Sequence, residues 1–499
     1  QINNGPAVTM FTTPGTGNAV SGLTFSAHTN SPVINIVGCA GFKQLGIGAS
    51  QELDQVGLAA PTTKGSWLVT DPYRIPEFVS RAFRTALSDR RGPVHLTVPV
   101  DFFEAEIDPS KVQIYKPQQY RHIGRLQGDP TRIKEAIELL QTAKKPAVIV
   151  GDGAYTVSPD VLQRFIDVTN IALLADVLGR GMVPDTHPSC FGTAATHNNE
   201  AAVKCLKDAD VVLLLGKKLD ATLQFGDPPT MNPDVKLIQV EPSSHQIALG
   251  GAVDVIIQGD VGTVLEQLTT EAENKKWVKS PMLSDLEAVV KDQKQKLDAM
   301  ATTGSPLNAM SVHKAMLPFL DDSTYMVFEG SDFALFGAAY YDCVQPNRFF
   351  GPGTLGMLGW SLPFALGAKL ALPNEKVVMF TGDGAFGFSG MEMDTAVRHN
   401  LPVVVILGND SVWGIDYHQQ VRLYGKTVAT ELLPTRYDKV ADGLGAHSEY
   451  VETSDELPGA LQRAFSANRP ALVNVQITPI ASPATESFIK AKEEDIPTL

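Results

Sequence analysis

Along this chain, short runs of apolar residues alternate with longer stretches whose apolar positions recur every three or four residues. The runs Ala7–Thr12, Val33–Val37, Val94–Val98, Ala147–Val150, Val211–Leu215, Val235–Val240, Val377–Phe380 and Val403–Leu407 are short and mostly unbroken by polar residues. Strands buried on both faces read this way, and such strands lie in parallel sheets covered by helices. Between them, the segments from Asn18, Pro76–Leu87 and Leu362–Leu372 carry the helical period. The alternation predicts an α/β chain of three doubly wound parallel-sheet domains.

The first block covers residues 1–110, with a Pro-Gly-Thr-Gly loop at 14–17 before the helix from Asn18. A polar linker with Pro109 and Pro117 separates it from a second block at 128–285. A Lys- and Asp-rich segment, 274–300, bridges to the third block at 306–482. The tail, 483–499, is rich in Ser, Lys and Glu and reads as a disordered end or as a lid that orders over a ligand. Three blocks suit 499 residues, given a prior of about 150 per domain.

Charge narrows the function. A net charge of −14 argues against nucleic acid or an anionic membrane as partner. Any anionic ligand must then be held by local cations, amides or a metal. Cys39, Cys190, Cys205 and Cys343 lack metal or disulfide spacing and read as reduced core thiols. No run approaches the ~20 apolar residues of a membrane span. With no signal peptide seen and no peroxisomal C-terminal address, the expected location is cytoplasmic.

The chemistry concentrates at 382–410. Gly382-Asp383-Gly384 follows a strand, and Asn409-Asp410 ends the next one, with Asp410 27 positions after Asp383. A strand–helix–strand unit sets the ends of two parallel strands side by side, so both carboxylates can meet at the sheet's carboxyl edge. Two such oxygens and a backbone carbonyl, here that of Val412, suit Mg²⁺ holding a diphosphate. The bland alternative is a crossover whose Gly-Asp-Gly is only a turn. Gly151-Asp152-Gly153 is read as that plain turn, because no Asn-Asn or Asn-Asp follows it at the matching distance.

The later pattern resembles the fingerprint of thiamine-diphosphate-dependent enzymes, with Asp410 replacing the second Asn of the usual pair. Gly353-Thr-Leu-Gly-Met-Leu-Gly359 resembles the loop that holds the aminopyrimidine. The resemblance implies a carbonyl acceptor at Gly356 and a bulky prop under the cofactor at Leu358. It also implies cofactor contacts from Gly330, Ser331, Asp332, Gly382, Gly384, Ala385, Asn409 and Trp413, with Glu329 beside the diphosphate. Phe386-Gly-Phe-Ser-Gly-Met-Glu392, Gly216-Lys-Lys-Leu-Asp220, Phe225-Gly-Asp-Pro-Pro229 and Ser50-Gln-Glu-Leu-Asp-Gln55 look most like 2-hydroxyacyl-CoA lyases and oxalyl-CoA decarboxylases. Acetolactate synthase and benzaldehyde lyase share parts of the pattern.

The blocks then correspond to pyrimidine-binding, central and diphosphate-binding domains, in a homodimer or homotetramer with the cofactor at the subunit interface. The implied reaction is C–C cleavage of a 2-hydroxyacyl-CoA to an aldehyde or ketone plus formyl-CoA. A carboligase or decarboxylase of 2-oxo acids is the alternative. Candidates around the reacting carbon are Gln51, His28 and His418, each of which also reads as an ordinary surface or loop residue. The central domain is expected to hold ADP, FAD or a CoA nucleotide, or nothing. Arg180, Lys217 and Lys218 are the candidates for its phosphates and Glu241 for a ribose. Lys490 and Lys492 would meet CoA phosphates if the tail is a lid. The first block resembles its counterpart only from the middle onward. The glutamate that activates the cofactor in the family has no equivalent here, so the natural protein is expected to carry a preceding segment. A non-catalytic homologue is the rival reading.

Overall fold

The computed structural model describes residues 2, 5–121, 125–330 and 332–495, the side chains of 494 and 495 excepted. Three sheets form, and every strand pair within them is parallel. The first contains β1 (Ala7–Phe11), β2 (Val33–Cys39), β3 (Ser66–Leu68) and β4 (Val94–Pro99) in the order β1-β2-β4-β3. The second contains β5 (Pro146–Val150), β6 (Ala172–Ala175), β7 (Cys190–Thr193), β8 (Val211–Leu215), β9 (Lys236–Glu241) and β10 (Val255–Gln258), ordered β10-β9-β8-β5-β6-β7. The third contains β11 (Tyr325–Glu329), β12 (Phe349–Phe350), β13 (Val377–Gly382), β14 (Val404–Asn409), β15 (His447–Val451) and β16 (Ala471–Gln476), ordered β12-β11-β13-β14-β16-β15. The central strands are buried along their length, as in β5 and β8, which is why they read as unbroken apolar runs.

Three segments differ from expectation. The first helix starts at Thr13, so the Pro-Gly-Thr-Gly stretch forms its opening turns. Proline is tolerated in a first turn, and packing outweighs the glycine cost, since Thr13, Thr16, Leu23 and Phe25 are buried. Phe25 stacks on Trp360 of the third domain at 4.7 Å. Part of the bridging segment is the helix Met282–Met300, which buries Met282, Leu283 and Leu286 in the central core. The tail forms the helix Pro483–Asp495, with Ala484 and Ile489 buried. No helix of the described residues is long and apolar enough to cross a membrane.

Candidate functional site

Parallel register fixes the site. Gly382 on β13 pairs with Gly408 on β14, so the residues that follow both strands emerge at one carboxyl edge. Asp383 and Asp410 line the same cavity of about 560 Å³, with Gly330, Gly356, Leu358, Gly382, Gly384, Ala385, Val412 and Trp413. Asp383 accepts from the amides of Gly384 at 2.9 Å and Ser411 at 3.1 Å, and Asp410 from Val412 at 3.2 Å. Burial pushes the Asp383 carboxyl up to about 6. Burial, and then the facing Asp383, pushes that of Asp410 up to about 8. Two buried carboxylates at one sheet edge, with the charge of Asp383 opposing ionisation of Asp410, form a donor set that a divalent cation would satisfy. Among the described residues no three His, Cys, Asp or Glu side chains cluster as a metal cage, so further ligands would come from backbone and phosphate oxygens.

The glycines shape the space. A Cβ on Gly384 would lie 2.8 Å from the Trp413 ring, so the ring packs against bare backbone there. Gly356 has φ +62°, and a Cβ on it would project into open space, as it would on Gly382. A diphosphate approaching closely needs such bare backbone, and the residues present fit one.

Several expected site residues lie elsewhere. Asn409 faces away from the cavity, donating to the Thr435 carbonyl at 3.0 Å and the Asn474 amide oxygen at 3.2 Å. Glu329 is buried, accepting from the Trp360 amide at 3.0 Å and the Ser361 hydroxyl, and does not line the cavity. Asp332 accepts from the Ser482 amide at 2.7 Å and the Thr485 hydroxyl at 2.6 Å, which anchors the tail helix. His418 Nε2 is buried without a hydrogen bond, 3.9 Å from Asp332. Ser331 lies outside the described residues. Gln51 sits on an exposed turn with φ +59°, away from this cavity. His28 is the last residue of the first helix and lines a second cavity of about 270 Å³ with Lys218, Asp152, Asp176 and Asp220.

Of the expected phosphate and ribose ligands of the central domain, Arg180, Lys217 and Glu241 are already engaged, while Lys218 lines the second cavity. Arg180 pairs with Asp185, donates to the Tyr341 carbonyl at 3.1 Å and lies over the Phe349 ring. Lys217 is fully buried between Asp176 at 2.7 Å and Asp220 at 2.8 Å. Both carboxylates hold its ammonium charged against the cost of burial. Glu241 receives Arg90 of the first domain at 2.8 and 3.0 Å rather than facing open space. The same arginine reaches Asp152 at 2.7 Å and the Gly216 carbonyl at 2.9 Å, so the Gly151–Gly153 turn is also a docking point between domains. Lys492 donates to Gln419, and Glu493 pairs with Arg422 at 3.0 Å, which places the tail on the Gly414–Tyr424 helix. Among the described residues of that tail, only Phe488 lines the main cavity. Thr193, Ala195, His197 and Asn198 of the central-domain wall were not legible in the sequence, because a loop after a strand carries no periodicity to mark it.

Residues 133–268 match the family described as "Thiamine pyrophosphate enzyme, central domain", and residues 330–475 its "C-terminal TPP binding domain". The chain is 31% identical to a probable acetolactate synthase of Mycobacterium bovis, over 96% of this chain and 86% of the relative. It is 31% identical to the 2-hydroxyacyl-CoA lyase of Oryza sativa subsp. japonica, over 94% and 84%. With 2-hydroxyacyl-CoA lyase 1 of Homo sapiens the identity is 27%, over 95% and 84%.

Proposed function

Because the chain belongs to the thiamine pyrophosphate enzymes, we propose that it is a C–C bond lyase acting on a 2-hydroxyacyl-CoA, with Mg²⁺ held by Asp383 and Asp410. The products are an aldehyde or ketone and formyl-CoA. When bound, the cofactor supplies a carbanion at its thiazolium that attacks and releases carbonyl carbons. The protein's own residues then hold the metal, prop the rings at Leu358 and exclude water behind Trp413. The observation that carries this reading is the apolar wall of the cavity, built from Phe328, Phe333, Leu335, Phe349, Ile415 and Phe488. Pyruvate would leave most of that wall without a partner. An acyl chain would bury it, at about 0.8 kcal/mol per methylene.

The second reading is a carboligase of 2-oxo acids, favoured by equal identity to a probable acetolactate synthase. Supplying pyruvate, benzoin and a medium-chain 2-hydroxyacyl-CoA in parallel separates them. Release of formyl-CoA from the thioester as the fastest reaction is expected, and faster turnover of pyruvate or a free 2-hydroxy acid would sink the lyase reading.

The proposed assembly is at least a homodimer. Phe42, Ile47, Leu53 and Phe103 are exposed in the first domain, and Phe388, Met391, Tyr424 and Leu433 in the third. Exposed apolar residues at such density mark an interface. Gln51, on the same exposed loop as Ile47 and Leu53, would then serve a partner's cavity. Light scattering at micromolar concentration is expected to return a dimer or larger, with an interface on the order of 2,000 Å². A cofactor-loaded monomer would overturn it. All four thiols are free and buried, which supports a reducing, cytoplasmic setting.

A further inference from the structure

The proposed metal ligands occupy the part of the main cavity built by the third domain, whereas the central domain contributes Asp176, Arg180 and Thr222 and, from the end of β7 and the loop after it, Thr193, Ala195, His197 and Asn198. His197 is the only imidazole among the described residues that line this cavity. Its ring lies against Phe488 of the tail helix, centroids 5.1 Å apart and 32° between planes, which limits rotation of the ring. Its nitrogens make no hydrogen bond to the described residues, and they are not sealed in as His418 Nε2 is. In the lining of the same cavity, Asn198 Oδ1 and Arg180 Nε are buried without partners. Unmade hydrogen bonds this dense are rare in a native interior, and each calls for a ligand or another explanation.

The loop that carries His197 is held firmly. The Thr196 amide donates to the Thr222 carbonyl at 3.1 Å. Asn199 Nδ2 donates to the carbonyls of Phe191 at 2.8 Å and Thr193 at 2.6 Å. Gln293 Nε2 reaches the Asn198 carbonyl at 3.2 Å. The imidazole is therefore a preset polar group facing the apolar side of the cavity formed by Phe333, Leu335 and Phe488, the arrangement that orients a small polar function of a ligand.

We infer that His197 is a substrate-contacting residue, hydrogen-bonded to the hydroxyl on the carbon next to the bond that breaks. The inference rests on the lyase reading for the identity of that oxygen. Neutral imidazole offers one donor and one acceptor, so it can serve the hydroxyl of the substrate and the carbonyl of the product. Burial lowers the basicity of His197, and only Asp176 opposes this, which keeps the ring neutral. Phe488 acts through the ring as a positioning residue.

The test uses the full-length holoenzyme with His197→Phe, His197→Gln and Phe488→Leu. For a 2-hydroxyacyl-CoA, kcat/KM is expected to fall about tenfold or more in His197→Phe, the cost of an unpaired polar group. His197→Gln should recover part of the loss, and Phe488→Leu should lose less. Thiamine diphosphate affinity by calorimetry should stay unchanged in all three. An unaltered kcat/KM in His197→Phe, or a parallel loss of cofactor affinity, would overturn the inference. If the parent turns over pyruvate and no thioester, the lyase reading fails separately. The same variants assayed on pyruvate then decide the contact: a fall supports it and no change removes it.

Discussion

Asp383→Ala is expected to abolish binding of thiamine diphosphate in magnesium buffer, weakening it by about 100-fold or more, which is ~2.7 kcal/mol. Asp383 and Asp410 are the two carboxylates that line the cavity at the ends of adjacent strands. Mg²⁺ demands near-octahedral oxygen ligation, and one carboxylate with a carbonyl and phosphate oxygens does not complete it without added water. The fold should survive. In the cation-free protein the Asp383 carboxyl is buried and its ionised form disfavoured, so the alanine removes a costly group. The variant is expected to melt no earlier than its parent without cofactor, while losing the stabilisation that cofactor confers. Calorimetry and thermal melts with and without ligand read both effects. Normal affinity in the variant would show that these carboxylates do not hold the cation.

Arg90→Met should have the largest effect on stability. The side chain crosses from the first domain to the central domain, meeting Asp152 and Glu241 in ion pairs and the Gly216 carbonyl in a hydrogen bond. Glu241 is fully buried, so removing the arginine leaves a carboxylate with neither water nor counter-ion. Breaking a buried pair in this way costs about 3–5 kcal/mol. Urea unfolding should show the loss, and hydrogen exchange should place it at β5, β8 and β9. The double variant Arg90→Met/Glu241→Leu is expected to regain much of it, since the stranded charge is gone. Parent-like stability of the single variant would mean that another contact holds the seam.

The two sites differ in how far the sequence discloses them. The three parallel sheets were legible because strands such as Val211–Leu215 are buried on both faces and must be apolar throughout. Asp383 and Asp410 were legible because one crossover spans the distance between them, and register then does the rest. Arg180, Lys217 and Glu241 misled, since a charged residue at a strand end looks the same whether it awaits a phosphate or is already paired. The partner of Glu241 lies 151 positions away, and nothing local announces it. Lys217 did have a nearer signal in Asp220, three residues on. Asn409 misled by adjacency: strand alternation turns neighbouring side chains to opposite faces, so one of the pair had to point away from the cavity. His197 has only its place after β7 to mark it.

The anchoring of Asp332 has a consequence in time. Its carboxylate receives the Ser482 amide and the Thr485 hydroxyl, groups made 150 and 153 residues later. Domains tend to fold as units while the chain is still being synthesised. Here β13 and β14 can pair and bring both carboxylates to one edge long before Ser482 leaves the ribosome. Phe488, which lines the cavity, arrives later still. A nascent chain would therefore carry the cation site without Phe488 beside it, and translation of the helix from Pro483 would add that ring to the wall.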